Sequence, residues 1–429
     1  MRVLLVGSGG REHALAWKIS QSPLVESMWF APGNPGTATL GENLDIAAND
    51  LDGIVSFCRA NDVGLVVIGP EDPLADGLAD RLHEIDVPVF GPRAGAAELE
   101  SSKAFCKDIM VRHRVPTGAY RVFTDLNPAI SYLQGGARYP VVIKASGLAA
   151  GKGVVICQDV REARKATKAM LEDGVHGKAG ATILVEEFLD GPEASIFALT
   201  DSRTFLPLES CMDHKQLGDG GVGPNTGGMG AVCPNPLISP RTRDAVERQV
   251  ILPTVHGMNH EGRRFQGVLF AGLKLTAAGP KVLEYNVRFG DPECQVLMPR
   301  LKSDLVPYLM ACSNGKLDEL EAPEWDPRPA ITVILASGGY PASYPKGIPI
   351  SGLDDVEQSD DLQIFHAGTA EKDGQIVTAG GRVLAITALG DDLAQARERA
   401  YQAVDKIDFE GKTFRTDIGL AALEAAQNY

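Results

Sequence analysis

The sequence predicts an α/β protein built from several domains. Residues 1–92 alternate short apolar runs with helical patterns, which is typical of a parallel sheet flanked by helices. Longer apolar runs, at 265–275 and 281–287, indicate further strands in the second half of the chain. A proline-rich segment at 323–329 indicates a linker. With 429 residues, two to four domains are expected.

The N-terminal domain is predicted to span 1–100 and to be a parallel α/β domain. Its strands are expected at Val3–Val6, Met28–Phe30, Leu65–Ile68 and Val87–Phe90, and its helices near Glu12–Ser20, Leu51–Ala60 and Leu74–Glu84. Three of the strands end in glycine loops, at Gly7–Gly10, Gly33–Gly36 and Gly69–Asp72. Ligands of open α/β sheets bind beyond the carboxyl ends of the strands, so these loops are candidate binding elements.

Three further units are predicted, at 101–190, 191–322 and 330–429. Their strands are expected at Val141–Lys144, Val154–Cys157, Thr182–Glu186, Ala194–Leu199, Phe265–Leu275, Lys281–Val287, Ile331–Ala336 and Arg382–Ala388. Their helices are expected at Ser102–Arg112, Asp159–Glu172, Arg241–Asn259 and Leu393–Ile407.

The composition limits the possible compartment and partners. A formal net charge of −15 argues against nonspecific nucleic-acid binding, so no nucleic-acid partner is expected. No apolar run reaches the roughly 18–20 residues of a membrane span, so no membrane partner is expected. Seven cysteines without a CxxC pair argue against a disulfide framework or a zinc cluster and favour a cytoplasmic protein.

The most informative segment is 284–295, which closes a predicted strand. Side chains two residues apart in a strand share a face, so Glu284 and Asn286 are expected to project together. A carboxylate and an amide oxygen are suitable ligands for Mg²⁺, which is often completed by substrate phosphates. Arg288 continues this face and could hold an anion bidentately. The alternative is a solvated polar strand edge without a ligand.

The first glycine loop, Gly7–Gly10, departs from the dinucleotide fingerprint G-x-G-x-x-G because Glu12 stands at the sixth position. The bulk of Glu12 is expected to spoil the close helix–sheet packing that a third glycine permits. Backbone amides at the start of the helix could still bind a phosphate. A phosphorylated small molecule is therefore favoured over NAD, and a purely structural turn is the other alternative.

A second glycine loop, at 144–153, resembles a phosphate-binding loop but fails the P-loop template. The spacing to Gly151 and Lys152 is one residue short, and Gly153 replaces the usual Ser or Thr. The loop also lies between two strands. A small, flexible loop of this kind could close over a triphosphate, with Lys152 and the nearby Lys144 facing the phosphates. The alternative is an ordinary hairpin.

Two more segments complete the set of motifs. At 184–193, two adjacent carboxylates at a strand end precede an apolar pair. This pattern suits an adenine cleft, in which Glu193 could accept hydrogen bonds from ribose hydroxyls. The alternative is a Glu-Glu pair on the surface. At 213–230, a long glycine-rich loop follows Asp213 and Lys215, which could take an ammonium group and an anion. A disordered surface loop is the alternative there.

Taken in order, these segments resemble those of the ATP-grasp ligases, and within them the glycinamide ribonucleotide synthetase family. The resemblance covers essentially the whole chain and departs from the family pattern at Gln216, where a basic residue is usual. It implies the N-terminal parallel α/β domain, an ATP-grasp lid region at 101–190, an ATP-grasp central domain at 191–322 and a C-terminal α/β domain at 330–429. One active site would lie between them.

The resemblance implies a reaction: glycine is ligated to 5-phosphoribosylamine, and ATP is cleaved to ADP and phosphate through a glycyl phosphate, in de novo purine biosynthesis. ATP and Mg²⁺ or Mn²⁺ would be required. The implied metal ligands are Glu284 and Asn286. The implied ATP-binding residues are Lys103, Lys144, Gly151, Lys152, Gly153, Glu186, Glu187, Phe188 and Glu193. The implied substrate-binding residues are Gly7, Gly9, Gly10, Asn34, Pro35 and Gly36, with Asp213, Lys215, Arg288 and Asp291 as the implied catalytic residues.

Three other functions are weighed. Another carboxylate–amine ligase, or a biotin-carboxylase-like enzyme, would share the ATP site but differ in the N-terminal loops and in 213–230. An NAD-dependent dehydrogenase is disfavoured by Glu12. A catalytically silent nucleotide-binding regulator would be expected to lose Glu284, Asn286 or Arg288, all of which are present.

Overall fold

The computed structural model describes residues 1–149 and 153–427. Its N-terminal unit is a five-stranded sheet of order β3-β2-β1-β4-β5 in which all paired strands are parallel, as predicted. The strands are β1 Arg2–Gly7, β2 Ser27–Pro32, β3 Glu42–Asn43, β4 Leu65–Ile68 and β5 Val89–Phe90, and the helices are α1 Gly10–Ile19, α2 Leu51–Ala60, α3 Glu71–Ala75, α4 Leu78–His83 and α5 Ala94–Ser101. The single helix predicted over 74–84 is wrong, because Gly77 adopts a φ of +86° and separates α3 from α4.

The second unit is a four-stranded antiparallel sheet of order β6-β9-β7-β8. Its elements are α6 Lys103–Arg112, β6 Tyr120–Phe123, α7 Leu126–Gly135, β7 Val141–Ala145, β8 Val154–Cys157, α8 Val160–Leu171 and β9 Ile183–Glu187. Helix α8 begins where expected because the Asp159 carboxylate accepts the backbone N–H groups of Arg161 and Glu162. Helices α7 and α8 pack on the sheet around a core that includes Ile143 and Val185.

The third unit contains an antiparallel sheet of order β11-β10-β16-β17. The strands of this part of the chain are β10 Glu193–Thr200, β11 Phe205–Pro207, β12 Met212–Asp213, β13 Gln216–Gly218, β14 Val222–Asn225, β15 Gly230–Cys233, β16 Gly267–Thr276 and β17 Gly279–Asn286. The helices are α9 Pro240–Val246, α10 Leu252–His260, α11 Glu293–Arg300 and α12 Leu305–Asn314. A π-helical segment, Glu247–Ile251, joins α9 to α10, so the predicted helix over 241–259 is continuous.

The last unit contributes β18 Ala330–Ala336, β19 Leu362–His366, β20 Thr369–Lys372, β21 Gln375–Thr378, β22 Arg382–Leu389, α13 Leu393–Val404 and α14 Leu420–Gln427. Its main sheet has the order β12-β15-β18-β22-β19, so two strands from the 212–233 region belong to it: β15 pairs with β18 of the last unit, and β12 pairs with β15. The glycine-rich segment is therefore held between two units. The proposed domain limits remain predictions.

The hydrophobic cores show how the units are held together. One cluster joins the N-terminal sheet (Phe30), the central sheet (Phe197, Phe270) and the last unit (Phe365). The second unit has its own core. In the described part of the chain, no helix combines the length and apolar character needed to cross a membrane. All seven cysteines are buried free thiols.

Candidate active site

A buried lysine–carboxylate cluster lies where the second unit faces the central sheet. The carboxylate oxygen Glu186 Oε2, at the end of β9, is 2.8 Å from Lys107 Nζ and 3.0 Å from Lys144 Nζ. Burial lowers the pKa of Lys144, but Glu186 and Glu284 outweigh it and the net pKa is raised. For Lys107 burial dominates and the pKa is lowered. Within 1–149 and 153–427, the other oxygen, Glu186 Oε1, is buried without a hydrogen-bond partner.

The cluster contains one residue that sequence reasoning missed. Lys107 is 2 % exposed, lies on α6 and also donates to Thr117 Oγ1 at 2.8 Å. The available signal was its position four residues after Lys103 on one predicted helix, since such residues share a face.

Strand β17 presents the predicted metal ligands. Glu284 and Asn286 are both half-buried, whereas Tyr285 between them is buried, so the predicted alternation is observed. A β-bulge at Leu283 breaks the register with β16, and the Leu283 carbonyl oxygen lies 3.4 Å from Lys144 Nζ. Bulges commonly re-aim a strand beside a functional site.

The residues on β17 fit a divalent cation. Burial raises the pKa of Glu284, but Lys215, Lys144 and Lys103 outweigh it and the net pKa is lowered, so the carboxylate is ionised at neutral pH. No group of three or more His, Cys, Asp or Glu residues in the described chain could hold a metal by itself. Two oxygen ligands on one strand therefore suit an ion that takes its other ligands from phosphates and water.

The predicted ribose acceptor Glu193 is already paired with two lysines. Its carboxylate lies 3.0 Å from Lys215 Nζ and 3.3 Å from Lys274 Nζ. Burial raises the pKa of Glu193, but the two lysines together outweigh burial, so the net pKa is lowered. The structure thus pairs Lys215 with Glu193. Lys215 also lies close enough to Glu284 for the two charges to interact, so the three residues form one charged surface of the cleft.

Asp213, on β12, has a buried oxygen with an unmet hydrogen-bonding capacity. Across the described residues, Asp213 Oδ1 has no partner. Burial and the nearby Glu293 carboxylate raise the pKa of Asp213 well above its ordinary value. Gly228 adopts a φ of +112°, and a β-carbon there would lie 2.6 Å from Asp213 Oδ1. The glycine-rich segment therefore packs directly over this carboxylate, which a cationic ligand would stabilise.

Arg288 lies between two carboxylates of the N-terminal unit. Its Nε donates to Glu71 Oε2 at 3.1 Å, and its terminal nitrogen lies 2.7 Å from Glu100 Oε1. Burial raises the pKa of Glu100 to about 7, and Arg288 opposes that shift. Sequence reasoning missed both carboxylates. Glu71 lies in the third glycine loop, which was the one available signal, and nothing in the motif analysis pointed to Glu100.

The side chain of Glu12, on helix α1, fills the space at the first glycine loop. The Gly9 N–H donates to Glu12 Oε2 at 2.7 Å, and Arg11 Nε donates to Glu12 Oε1 at 2.6 Å. A β-carbon at Gly7 (φ +123°) would lie 2.6 Å from Glu12 Cγ, and one at Gly69 would overlap its carboxylate. The expected loss of helix–sheet packing is therefore wrong, since these glycines leave room for Glu12. The Glu12 side chain closes the position that a dinucleotide pyrophosphate would need.

The second N-terminal loop meets the first loop and the last unit. Asn34 Nδ2 donates to the Ser8 carbonyl at 2.8 Å and to the His366 carbonyl at 2.9 Å. The His366 N–H donates to His13 Nδ1 at 2.8 Å, and Gly36 lies directly over the His13 ring. Burial lowers the pKa of His13 to about 3, so this imidazole is neutral. Pro35 is half-buried within the loop.

Asp291 links these loops to the last unit. Asp291 Oδ2 accepts the Arg11 N–H at 3.3 Å, and Oδ1 accepts from Gln295 Nε2 at 2.8 Å. Arg382, on β22, lies 3.3 Å from Oδ1 and donates to the Gly227 carbonyl at 2.8 Å. Gly10 packs against the Gln295 side chain. Arg382 was missed by the sequence analysis because nothing in its local pattern distinguishes it.

The remaining predicted ATP-binding residues lie in the second unit. Lys103 Nζ lies 3.4 Å from the Gly147 carbonyl, and the Gly153 carbonyl accepts the Ala145 N–H at 2.8 Å. Glu187 is exposed, its Oε2 accepts the Ala119 N–H at 3.0 Å, and Phe188 after it is half-buried. Gly151 and Lys152 lie outside the described residues.

These features define a class of protein. A lid-like antiparallel sheet, a central sheet with an acidic strand and an N-terminal parallel sheet form the ATP-grasp fold, which confirms the predicted fold class. Among solved structures, the biotin carboxylase domain of Hydrogenobacter thermophilus 2-oxoglutarate carboxylase, in complex with MgADP, matches with a TM-score of 0.75 over 96% of this chain and 91% of that chain. At 16% identity this match shows the fold alone.

Family models identify the particular group. The N, ATP-grasp (A) and C domains of phosphoribosylglycinamide synthetase match residues 1–100, 101–294 and 330–421. The chain belongs to the phosphoribosylglycinamide synthetase family, as predicted.

Individual relatives agree with the family models. Phosphoribosylamine–glycine ligases of Vibrio vulnificus and Allochromatium vinosum are 49% and 52% identical, with coverage of 100% and 99% of both chains respectively. The solved Thermotoga maritima phosphoribosylamine–glycine ligase is 34% identical, with a TM-score of 0.86 over 97% of this chain and 100% of that chain.

Proposed function

We propose that the chain joins glycine to 5-phosphoribosylamine in purine biosynthesis, with ATP cleaved to ADP and phosphate. Relatives about half identical over the full length carry this activity in their names, which confirms the predicted enzyme class. The structural observation that supports the proposal most directly is the lysine–carboxylate cleft, in which Glu186 Oε1 and Asp213 Oδ1 are buried without a hydrogen-bond partner among the described residues. Buried polar atoms of this kind are stabilised when a ligand satisfies them.

The nucleotide would lie between the second unit and β17. Lys103 and Lys144 would hold its phosphates, and Glu186 with the half-buried Phe188 would contact the adenosine part. Glu284 and Asn286 would hold Mg²⁺ or Mn²⁺, which would neutralise phosphate charge during transfer. Lys144 would turn from Glu186 towards the phosphates, since Lys107 still pairs with that carboxylate.

Glycine would bind on the other side of the phosphates. A carboxylate is a poor electrophile, so its oxygen first attacks the γ-phosphorus of ATP and ADP leaves, giving glycyl phosphate. The buried Asp213 oxygen would accept the glycine ammonium group, and Lys215 would bring positive charge to the two anions that react. Arg288 could hold the glycine carboxylate only by sharing its guanidinium with Glu71 and Glu100.

Phosphoribosylamine would approach from the N-terminal loops Gly7–Gly10 and Gly33–Gly36, the first of which lies against Asp291. Its amine then attacks the acyl carbon, phosphate leaves and the nitrogen loses a proton. Because Glu12 takes the Gly9 N–H, this amide is not available to the sugar phosphate. We therefore assign the sugar contacts to the surface between the two loops. Asn34 would hold this surface in place, since its side chain is itself paired with Ser8, His366, Gly36 and Thr37.

The test measures ADP release from ATP and glycine with phosphoribosylamine present or omitted. Release that depends on all three substrates is expected. Asp213→Asn should raise the KM for glycine at least about tenfold, since it removes the charge that pairs with the ammonium group. Its KM for ATP should stay close to that of the wild type. An unchanged glycine KM in this variant would remove Asp213 from the glycine site, and ADP release without phosphoribosylamine at the full rate would contradict the ligation.

A further inference from the structure

A second cavity lies on the face of the molecule where the N-terminal unit meets the central sheet. Its volume is about 320 Å³, and its wall includes His83, Arg93, Ser202, Arg203 and Arg264. None of these residues belongs to the candidate active site. The cavity lies at the end of β10 and the start of β16, whereas Glu193 in the cleft begins β10. Seven residue steps along a strand separate the two places by roughly 23 Å.

The wall of this cavity carries unpaired positive charge. Arg93, Arg203 and Arg264 come from three separate segments, and all three are exposed. Among the residues with described positions, none of their guanidinium groups has a hydrogen-bond or ion-pair partner. The chain as a whole carries a net charge of −15, so this concentration of positive charge is local. Three unpaired arginines around one concavity form a local field that attracts anions.

A buried hydroxyl in the same wall lacks a partner. Ser202 is 1% exposed and lines the cavity, and its Oγ makes no hydrogen bond within the described residues. A serine hydroxyl can donate one hydrogen bond and accept two, so an isolated buried one is costly. A ligand oxygen in the cavity would satisfy it.

One carboxylate faces the same cavity, and its oxygens are already engaged. Asp201 Oδ1 accepts the N–H groups of Arg203 and Thr204 at 2.9 and 2.8 Å, and Oδ2 accepts the Leu317 N–H at 3.0 Å. These backbone contacts offset its negative charge. A second polar group of the wall, Gln266 Nε2, donates to the Cys312 and Ser313 carbonyls at 2.9 Å each, and Ser313 Oγ accepts the Val89 N–H at 3.0 Å. His83 and Asn314 also belong to the wall. The three arginines carry its positive charge and are the groups that would bind an anion.

We propose that this cavity binds the phosphate group of a small phosphorylated molecule, at a site separate from the ligation reaction. Planar guanidinium groups match phosphate oxygens bidentately, and arginine is the usual residue for this recognition. The buried Ser202 hydroxyl would donate to a further oxygen. The cavity is large enough for a phosphate ester of sugar size, and its wall has no tryptophan, tyrosine or phenylalanine on which a base would stack.

The first experiment titrates the full chain with pyrophosphate, inorganic phosphate and ribose 5-phosphate by calorimetry. Saturating ADP and Mg²⁺ are present, because the cleft would also take phosphate. At least one of these anions is expected to bind the cavity, and the cavity variants below distinguish this binding from that of ribose 5-phosphate at the N-terminal loops. Preference for ribose 5-phosphate indicates a phosphate ester, and preference for pyrophosphate indicates a free oxyanion. Absence of binding by all three overturns the proposal.

A pair of double variants locates the site. Arg203→Gln with Arg264→Gln should weaken binding at least about tenfold, since charge-assisted hydrogen bonds are lost. Arg241→Gln with Arg248→Gln removes the same charge from exposed residues of the α9 region and should leave the affinity within about twofold. Equal weakening in both double variants would show a general charge effect and overturn the site.

Ser202→Ala separates binding from folding. The Ser202 hydroxyl has no hydrogen-bond partner among the described residues. Its removal should therefore leave the melting temperature of the unliganded protein unchanged or raise it, while the affinity for the anion should fall. A structural role for the hydroxyl would instead lower the melting temperature. Unchanged anion affinity in Ser202→Ala and in the Arg203/Arg264 variant would place the anion elsewhere and contradict the proposal.

Discussion

Two charged clusters in this molecule differ in how completely their carboxylates are paired. The arginine network lies between the N-terminal and central units and consists of Arg11, Glu12, Glu71, Glu100 and Arg288. The lysine cluster lines the cleft and consists of Lys107, Lys144, Glu186, Glu193 and Lys215. In the arginine network, both oxygens of Glu12 and both oxygens of Glu100 have donors. In the lysine cluster, Glu186 Oε1 has none among the described residues.

The difference follows from the chemistry of the two cations. A guanidinium has a rigid fork of donors that can join two carboxylates at once, as Arg288 joins Glu71 and Glu100. An ammonium group on a flexible stem can leave one partner for another at small cost. We therefore predict that the arginine network fixes the units to each other and that the lysine cluster exchanges its internal partners for substrate phosphates.

The largest effect on stability is expected at the centre of the arginine network. Arg288→Met would leave the buried Glu100 and the half-buried Glu71 without their main counter-charge, so we predict a loss of about 3–5 kcal/mol in the free energy of unfolding. Urea unfolding at neutral pH measures it, with the exposed Arg241→Met as the control. A loss below about 1 kcal/mol would mean that the network does not hold the units together.

The largest effect on catalysis is expected on β17. Glu284→Gln keeps the size of the side chain but removes the charge of the predicted metal ligand, so turnover should fall roughly 10²-fold or more, about 2.7 kcal/mol of transition-state stabilisation. Steady-state ADP release at saturating Mg²⁺ measures this change, and the exposed Glu84→Gln serves as the matched control. Near-wild-type turnover would exclude Glu284 as a metal ligand.

A pH-dependent effect is expected at Glu71. Burial raises the pKa of this carboxyl, but Arg288 and Arg11 together outweigh burial, and the net pKa falls from 4.5 to about 2. The folded state is therefore stabilised by the ionised carboxylate above pH 4.5, and that contribution is lost as the pH falls through about 2. Glu71→Gln should cost about 1–3 kcal/mol at pH 7, after allowance for its partial exposure.

Urea unfolding from pH 7 downwards checks the Glu71 prediction. The difference between wild type and Glu71→Gln should shrink as the pH falls below about 4.5. A difference that stays constant over this range would show that the charge of Glu71 does not contribute.

The smallest effect on folding is expected in the lysine cluster. Lys144→Met leaves Lys107 on Glu186, so the free energy of unfolding should change by less than about 1 kcal/mol. The dissociation constant of ATP should nevertheless rise at least about tenfold, because a phosphate contact is lost. Calorimetric titration with ATP and a urea curve on the same sample check both parts. A large loss of stability with unchanged ATP affinity would reverse the roles of the two clusters.

Much of the local structure was predictable because it depends on neighbouring residues. The limits of Leu51–Ala60, Leu65–Ile68 and Val154–Cys157 agree with the structure, since apolar periodicity and flanking polar residues define such elements. The shared face of Glu284 and Asn286 follows from the period of a strand. Their roles, like those of the other proposed site residues, remain predictions.

By itself the sequence determined the fold class, the family and the motifs that line the cleft, because each of these rests on patterns within short segments. The tertiary structure alone decided which charges meet. Glu100 pairs with Arg288 across 188 positions, and Asp291 meets the N-terminus of α1 across 280 positions. It also decided that Glu12 fills the first glycine loop beside Gly69. Such contacts depend on how separate units pack against each other, and this packing cannot be predicted from the periodicity of a short segment.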